Sequence, residues 1–142
     1  MSSTLTSAIG AAASALNVER TRVEVAVSNL ANAESTRGPN GQPYRRREVV
    51  IESVPGQSFD NALGQATGVR VAAVVEDQSP FETRYDPNHL DADASGFVSL
   101  PNVKSDEEVV DLLSASRAYQ ANLAAINVIR DMIQKALDLG RS

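Results

Sequence analysis

A chain of 142 residues has the size of one ordinary domain, and its 13 Lys and Arg against 18 Asp and Glu leave a net charge of -5. That balance argues against a broad nucleic-acid-binding surface, and no apolar run reaches the roughly 20 residues that span a bilayer. With no Cys and one His, His89, the chain has no disulfide framework, thiolate chemistry or His-rich zinc site.

The first segment carries neither Lys nor Arg before Arg20, so it does not read as a secretory leader. Leu5, Ile9, Ala12, Leu16, Val23, Ala26 and Leu30 recur at alternating spacings of three and four, with Glu19 interrupting. That is the seam of a long helix. Almost all Gly and Pro fall between Gly38 and Pro101, leaving the segments on either side free of breakers. Arg37 to Pro43 is loop chemistry with a tight turn at Asn40-Gly41. Strands are predicted at Val49 to Ile51, at Val69 to Val75 and at Phe97 to Leu100, with a flexible connection over Gly56 to Gly68.

The last segment repeats the helical pattern through Val109, Leu112, Ser116, Tyr119, Leu123, Ile126, Ile133 and Leu137, with Arg130 as the exception. Ser105 followed by Glu108 reads as a capping box, and Gly140 as a C-cap with Arg141 beyond it. The expected fold is α+β and elongated. Residues 1–36 and 105–142 form two helices of one coiled-coil domain, and residues 37–104 a small β-rich insert.

The last helix would be roughly 50 Å long, more than a small insert can cover. The seams are rich in Ala, Ser and Val, each of which buries little area. Two readings stay open: helices completed by neighbours in an assembly, or a self-sufficient helical hairpin.

Candidate chemistry is sparse. Asp91-Ala-Asp93-Ala-Ser95-Gly96-Phe97-Val98 matches the first positions of a calcium loop, but Asn102 stands where the bidentate Glu belongs. An Asp-rich turn leading into a strand is favoured, with a calcium-binding module as the alternative. His89 reads as a surface-loop residue. Arg45-Arg46-Arg47 reads as strand charge, solvated or at an interface, rather than as a phosphate site. No nucleophile elbow or phosphate-cradling loop occurs, so the chain is expected not to be an enzyme and to use no cofactor or metal.

The stretch Asn29-Leu30-Ala31-Asn32-Ala33-Glu34-Ser35-Thr36 resembles the N-terminal signature of the flagellar rod and hook axial proteins. Gly41-Gln-Pro43-Tyr44-Arg45-Arg46, Asp77-Gln-Ser79-Pro80, Tyr85-Asp86-Pro87, Pro101-Asn102-Val103 and Ser114 to Asn122 narrow the likeness to the proximal-rod family. Leu90, where Pro is usual, and Phe97, where Tyr is usual, depart from it. The resemblance implies a structural subunit of the bacterial flagellar basal body, exported through the flagellar export apparatus without a cleaved signal. It implies polymerisation with other rod proteins and copies of itself into a periplasmic drive shaft, attached to the basal-body base, without nucleic acid or membrane insertion. A generic coiled-coil scaffold is the remaining alternative. The residues expected at the assembly interface are Leu16, Val23, Asn29, Leu30, Asn32, Leu112, Tyr119, Leu123 and Ile126. For Asn32, capping its own helix is the competing role.

Overall fold

A computed structural model describes residues 2–55 and 66–140. Helix α1 (Ser2–Ala31) is followed by strands β1 (Arg47–Pro55), β2 (Ala66–Glu76), β3 (Glu82–Tyr85) and β4 (Phe97–Leu100), then by helix α2 (Ser105–Leu139). This is the α+β arrangement expected from the sequence, two long helices around a small β insert. The helices hold 30 and 35 residues, so they run about 45 and 52 Å. They lie antiparallel. Asn29, near the end of α1, meets Glu108 in the first turn of α2, while Arg20 and Val23 sit beside Ser116 and Tyr119.

Helix α1 stops where its Asn-rich end turns back on it. The Asn32 side chain donates to Ser28 O at 2.8 Å, and Ser35 N donates to Asn32 O at 3.0 Å. Asn32 therefore closes its own helix, its side chain adding a second bond to the carbonyl that its own N–H reaches at 3.2 Å. In the following loop Gly41 takes φ +76°, and its N–H bonds Gly38 O at 2.9 Å, as the Asn-Gly pair suggested.

Strands β1 and β2 pair antiparallel into a ribbon, with a bulge between Val50 and Ile51. The ribbon lies along α1. At one end Arg47 bonds Asn29; at the other, Val69 N donates to the Ser14 hydroxyl at 3.1 Å. Ser14 to Asn29 covers about 22 Å of helix, and Arg47 to Ser53, the partner of Val69, about 20 Å of strand. The lengths match, so ribbon and helix stay in contact throughout. Gly68 makes this approach possible, since a Cβ there would lie 2.9 Å from Ser14 Oγ. The connection predicted over Gly56 to Gly68 lies outside the described residues except for Ala66 to Gly68, which are strand.

β3 was not foreseen. It pairs antiparallel with β4, and Tyr85 and Phe97 meet edge to face at 5.3 Å. The connecting turn is held by Asp93 Oδ1, which accepts Ser95 N at 2.8 Å and Phe97 N at 3.0 Å. Gly96 there takes φ +83°, and a Cβ would lie 2.9 Å from the Tyr85 ring and 3.1 Å from Pro87 Cβ. Gly96→Ala is therefore expected to destabilise the fold by at least about 1 to 2 kcal/mol from the left-handed backbone alone. Chemical denaturation compared with the original chain measures it, and an unchanged midpoint would refute the constraint.

The core is thin. Among the described residues, Val18, Ala26 and Ala115 are buried between the helices, and Val98, Pro101 and Val103 where β4 leads into α2. Sandwiched between α2 and the ribbon, α1 has half-buried residues on most of its circumference. By contrast, among the described residues α2 packs chiefly on α1 and, in its first turns, on the insert.

Three local expectations change. Ser105 and Glu108 form no capping box: Lys104 occupies the N-cap, its side chain pairing with Glu107 rather than capping the backbone, and the Glu108 carboxylate points into the fold. The Asp106 and Glu107 charges still favour the helix start. The intrachain seam of α2 runs one position earlier over its first half than the large apolar residues suggested, through Glu108, Ala115 and Asn122, leaving Val109, Tyr119 and Leu123 partly outside. Gly140 is the C-cap, bonding Ala136 O at 3.1 Å, but in the right-handed region at φ -79°; Arg141 lies outside the described residues.

Candidate assembly interface

Asn29 holds the centre of a buried polar cluster joining both helices and the insert. Its amide donates to Arg47 O and to Glu108 Oε2, each at 2.9 Å. Its oxygen accepts from Arg47 N at 3.0 Å and from the Tyr44 hydroxyl at 2.9 Å. Two donors and two lone pairs are all in use, and Asn29 is 1% exposed. Nothing remains for a neighbouring subunit, so the expected bridging role does not fit Asn29. It ties β1 to α1 instead.

Glu108, 2% exposed, is the second centre. Its Oε2 accepts from Asn29 and its Oε1 from Arg46 Nε. Arg46 also reaches Glu48, and Asp111 at 3.5 Å. Burial alone would lower the Arg46 pKa; its hydrogen bond to Glu108 and the charge of that carboxylate, followed by Glu48, outweigh it and raise the value. The guanidinium therefore stays charged at any pH the protein meets. Such a pair need not add net stability over an apolar one, but removing one partner strands the other. Asn102 fixes the same segment by accepting Arg46 N at 2.8 Å and donating to Asp77 O at 3.1 Å.

Within the arginine run Arg46 is drawn into the buried cluster, while Arg47 stays exposed as expected of strand charge. Arg45 stacks over Phe81 at 4.4 Å and donates to Asp77 O and Ser79 O, while Arg47 lies 5.7 Å over the Tyr44 ring. Asp77 accepts the Ser79 hydroxyl and N–H at 2.6 and 2.8 Å. Those two bonds hold its carboxyl below the usual range, with smaller help from Arg46 and Arg45. The sign follows from preferential proton uptake by the unfolded chain. This turn is firmest above the ordinary carboxylate range and loosens as acid protonates Asp77.

In the Asp-rich loop, Asp91 accepts the Thr36 hydroxyl at 2.7 Å and pairs with Arg37 at 2.6 Å, while His89 Nδ1 accepts Asp91 N at 3.0 Å. This is a turn leading into a strand, tied back to the end of α1.

The remaining expected interface residues separate into two groups. Leu16, Leu30, Asn32, Leu112 and Ile126 are half-buried. Val23 and Tyr119 line one apolar cleft of ≈ 330 Å³ with Ser116 and the stems of Arg20 and Glu24. Leu123 is 45% exposed on the outer side of α2. Leu113, Val128 and Met132, all more than half exposed, leave apolar groups bare in other directions around the same helix. The chain presents 9915 Å² of accessible surface, where a compact monomer of 15.1 kDa presents about 7,100 Å². The excess is of the order hidden in obligate protein interfaces. Sequence spacing missed the polar cluster because its partners are far apart along the chain. One signal for it was available: a Glu placed among the apolar repeats at the start of α2.

Two family patterns match this chain. Residues 9–39 match the family described as Flagella basal body rod protein, and residues 94–139 that described as Flagellar basal body rod FlgEFG protein C-terminal. Among curated relatives, the flagellar basal-body rod protein FlgC of Salmonella typhimurium is 48% identical over 131 residues, covering 92% of this chain and 93% of its own. The protein of that name from Bacillus subtilis is 41% identical over 145 residues, covering 94% and 96%. The one from Borreliella burgdorferi is 40% identical over 147 residues, covering 94% and 95%.

Proposed function

The chain belongs to the FlgC family of flagellar basal-body rod proteins, and from that membership we propose that it is a structural subunit of the proximal rod. It polymerises with other rod proteins and with copies of itself into the shaft that transmits torque and encloses the export channel. Its place is the basal body, which it reaches through the flagellar export apparatus without a cleaved signal. Its work is mechanical rather than catalytic.

The observation that carries this reading is the 9915 Å² surface over so small a core. A chain that leaves leucines, valines and a methionine half-exposed along a 35-residue helix has the surface of a subunit. Residues 1–36 and 105–142 form the coiled-coil domain of the shaft, with residues 37–104 set against it. Heterologous contacts between unlike faces that do not close into a ring generate a helical tube.

Deleting the gene is expected to abolish rods and swimming, and the intact gene to restore both. A swimming deletion strain would refute the assignment. Leu123→Asp is expected to leave folding and export intact, because the side chain lies outside the intrachain seam, and to stop rod growth by placing a charge in a buried contact. Periplasmic fractionation, electron microscopy of basal bodies and swimming plates read the outcome. Normal rods in that variant would remove the Leu123 flank of α2 from the interface.

A further inference from the structure

We propose that the distal half of the β1–β2 ribbon is an arm that opens from α1 about the bulge between Val50 and Ile51, with the Ser14 hydroxyl as its latch. The device belongs to the folded chain itself and goes beyond the rod reading.

The two ends of the ribbon are held differently. At the proximal end the N–H and C=O of Arg47 both bond the Asn29 carboxamide, which is buried and itself bonded to Glu108 and Tyr44. At the distal end Val69 N donates to the Ser14 hydroxyl, a part-buried bond between neutral groups. Apolar packing seals this half loosely, since Ile51 and Val54 are 43% and 37% exposed. The segment that opens at lowest cost is the one with few buried contacts.

Ser14 suits the part of a latch. Its hydroxyl donates to Ala11 O at 2.7 Å, on its own helix, so the proton is engaged there and the lone pairs are free to face the ribbon. Gly68 lets the strand close on it: a Cβ there would lie 2.9 Å from Ser14 Oγ but 3.5 Å from Ser14 Cβ. The bulge suits the part of a hinge. Register shifts between Val50 and Ile51, and a bulge interrupts the ladder and bends the strand. Beyond it, the pairs from Ile51–Val71 to Val54–Gly68 form a short two-stranded piece, marginal by itself once it leaves the helix. Release of the latch therefore frays the distal ladder, while the cluster around Asn29 keeps the rest of the insert attached. The arm changes its angle to the helix pair without loosening that pair.

Arg47 and Val69 turn their N–H groups outward to α1. By antiparallel alternation the ladder bonds then belong to Val50 with Ala73 before the bulge and to Glu52 with Arg70 after it. Amide hydrogen exchange of the purified full chain, resolved by NMR, is expected to be faster at Glu52 and Arg70 than at Val50 and Ala73. Ser14→Ala is expected to speed exchange at Glu52 and Arg70 about fivefold, the worth of one hydrogen bond, and to leave Val50, Ala73 and Arg47 unchanged. Gly68→Ala is expected to do the same in the original chain, by pushing on Ser14 Oγ, and to add nothing in the Ser14→Ala chain, where that atom is gone. Equal acceleration on both sides of the bulge would show the ribbon released as one piece and overturn the hinge. No acceleration at Glu52 and Arg70, or additive effects in the double variant, would overturn the latch. The rod assignment is tested separately by the deletion strain.

Discussion

Glu108→Ala is expected to destabilise the folded chain by about 3 kcal/mol, the lower end for breaking a buried ion pair. The carboxylate is 2% exposed and accepts from both Asn29 and Arg46. Truncation leaves the Asn29 N–H without its acceptor and the Arg46 guanidinium without its most buried counter-charge. Glu48 and Asp111 remain near Arg46, which is why the lower end applies. For a domain of this size the change corresponds to a fall in Tm of about 10 °C. Glu108→Gln keeps the shape and one acceptor but loses the charge, so it should fall between. Thermal unfolding of the purified chain followed by circular dichroism decides the matter. An alanine variant melting with the original chain would show that the insert is anchored without this pair.

Asn29→Asp is expected to be about as damaging at neutral pH, and for a diagnostic reason. The substitution replaces the amide that bonds Glu108 Oε2 at 2.9 Å with a second carboxylate. Two carboxylates that close cannot both ionise without large cost. The same change turns a donor facing Arg47 O into an acceptor. One proton shared between the two acids restores the bond to Glu108, so the folded variant binds protons more tightly than the unfolded one. Its stability therefore falls as pH rises from about 4, the range in which unfolded carboxylates ionise. Asn29→Ala loses the same bonds without creating the repulsion and should show no such slope. Parallel pH dependence in the two variants would mean that Asn29 and Glu108 do not face each other as described.

The helices and three of the four strands were legible in the sequence, because each follows from spacing within a short window. Val49 to Ile51 and Val69 to Val75 announced themselves by β-branched alternation, and the helices by their apolar repeats and lack of breakers. β3 did not, since Glu82 to Tyr85 is fully exposed and has no apolar face to reveal it. The α2 seam was misplaced over its first half for a related reason. Ala115 can sit at the contact because it is small, whereas the larger Val109, Tyr119 and Leu123 drew the eye. Ser105 and Glu108 have the spacing of a capping box, yet a carboxylate goes where its strongest partners are. Here those partners are Asn29 and Arg46, far back along the chain and invisible to any local pattern. Asn29 looked like an interface residue on similar grounds: an exposed role is natural for an amide until three elements converge on it.

The bond between Asn29 and Glu108 joins residues 79 positions apart, and that separation sets an order of events. Whichever end of the chain leads through a narrow conduit, neither helix can find its partner until nearly everything between them has passed. Closing so long a loop carries an entropic cost that only the finished helix pair and polar cluster repay. The contact that locks the fold is thus among the last that can form. A chain wired in this way stays open until both of its ends are present, and the fold then closes as one.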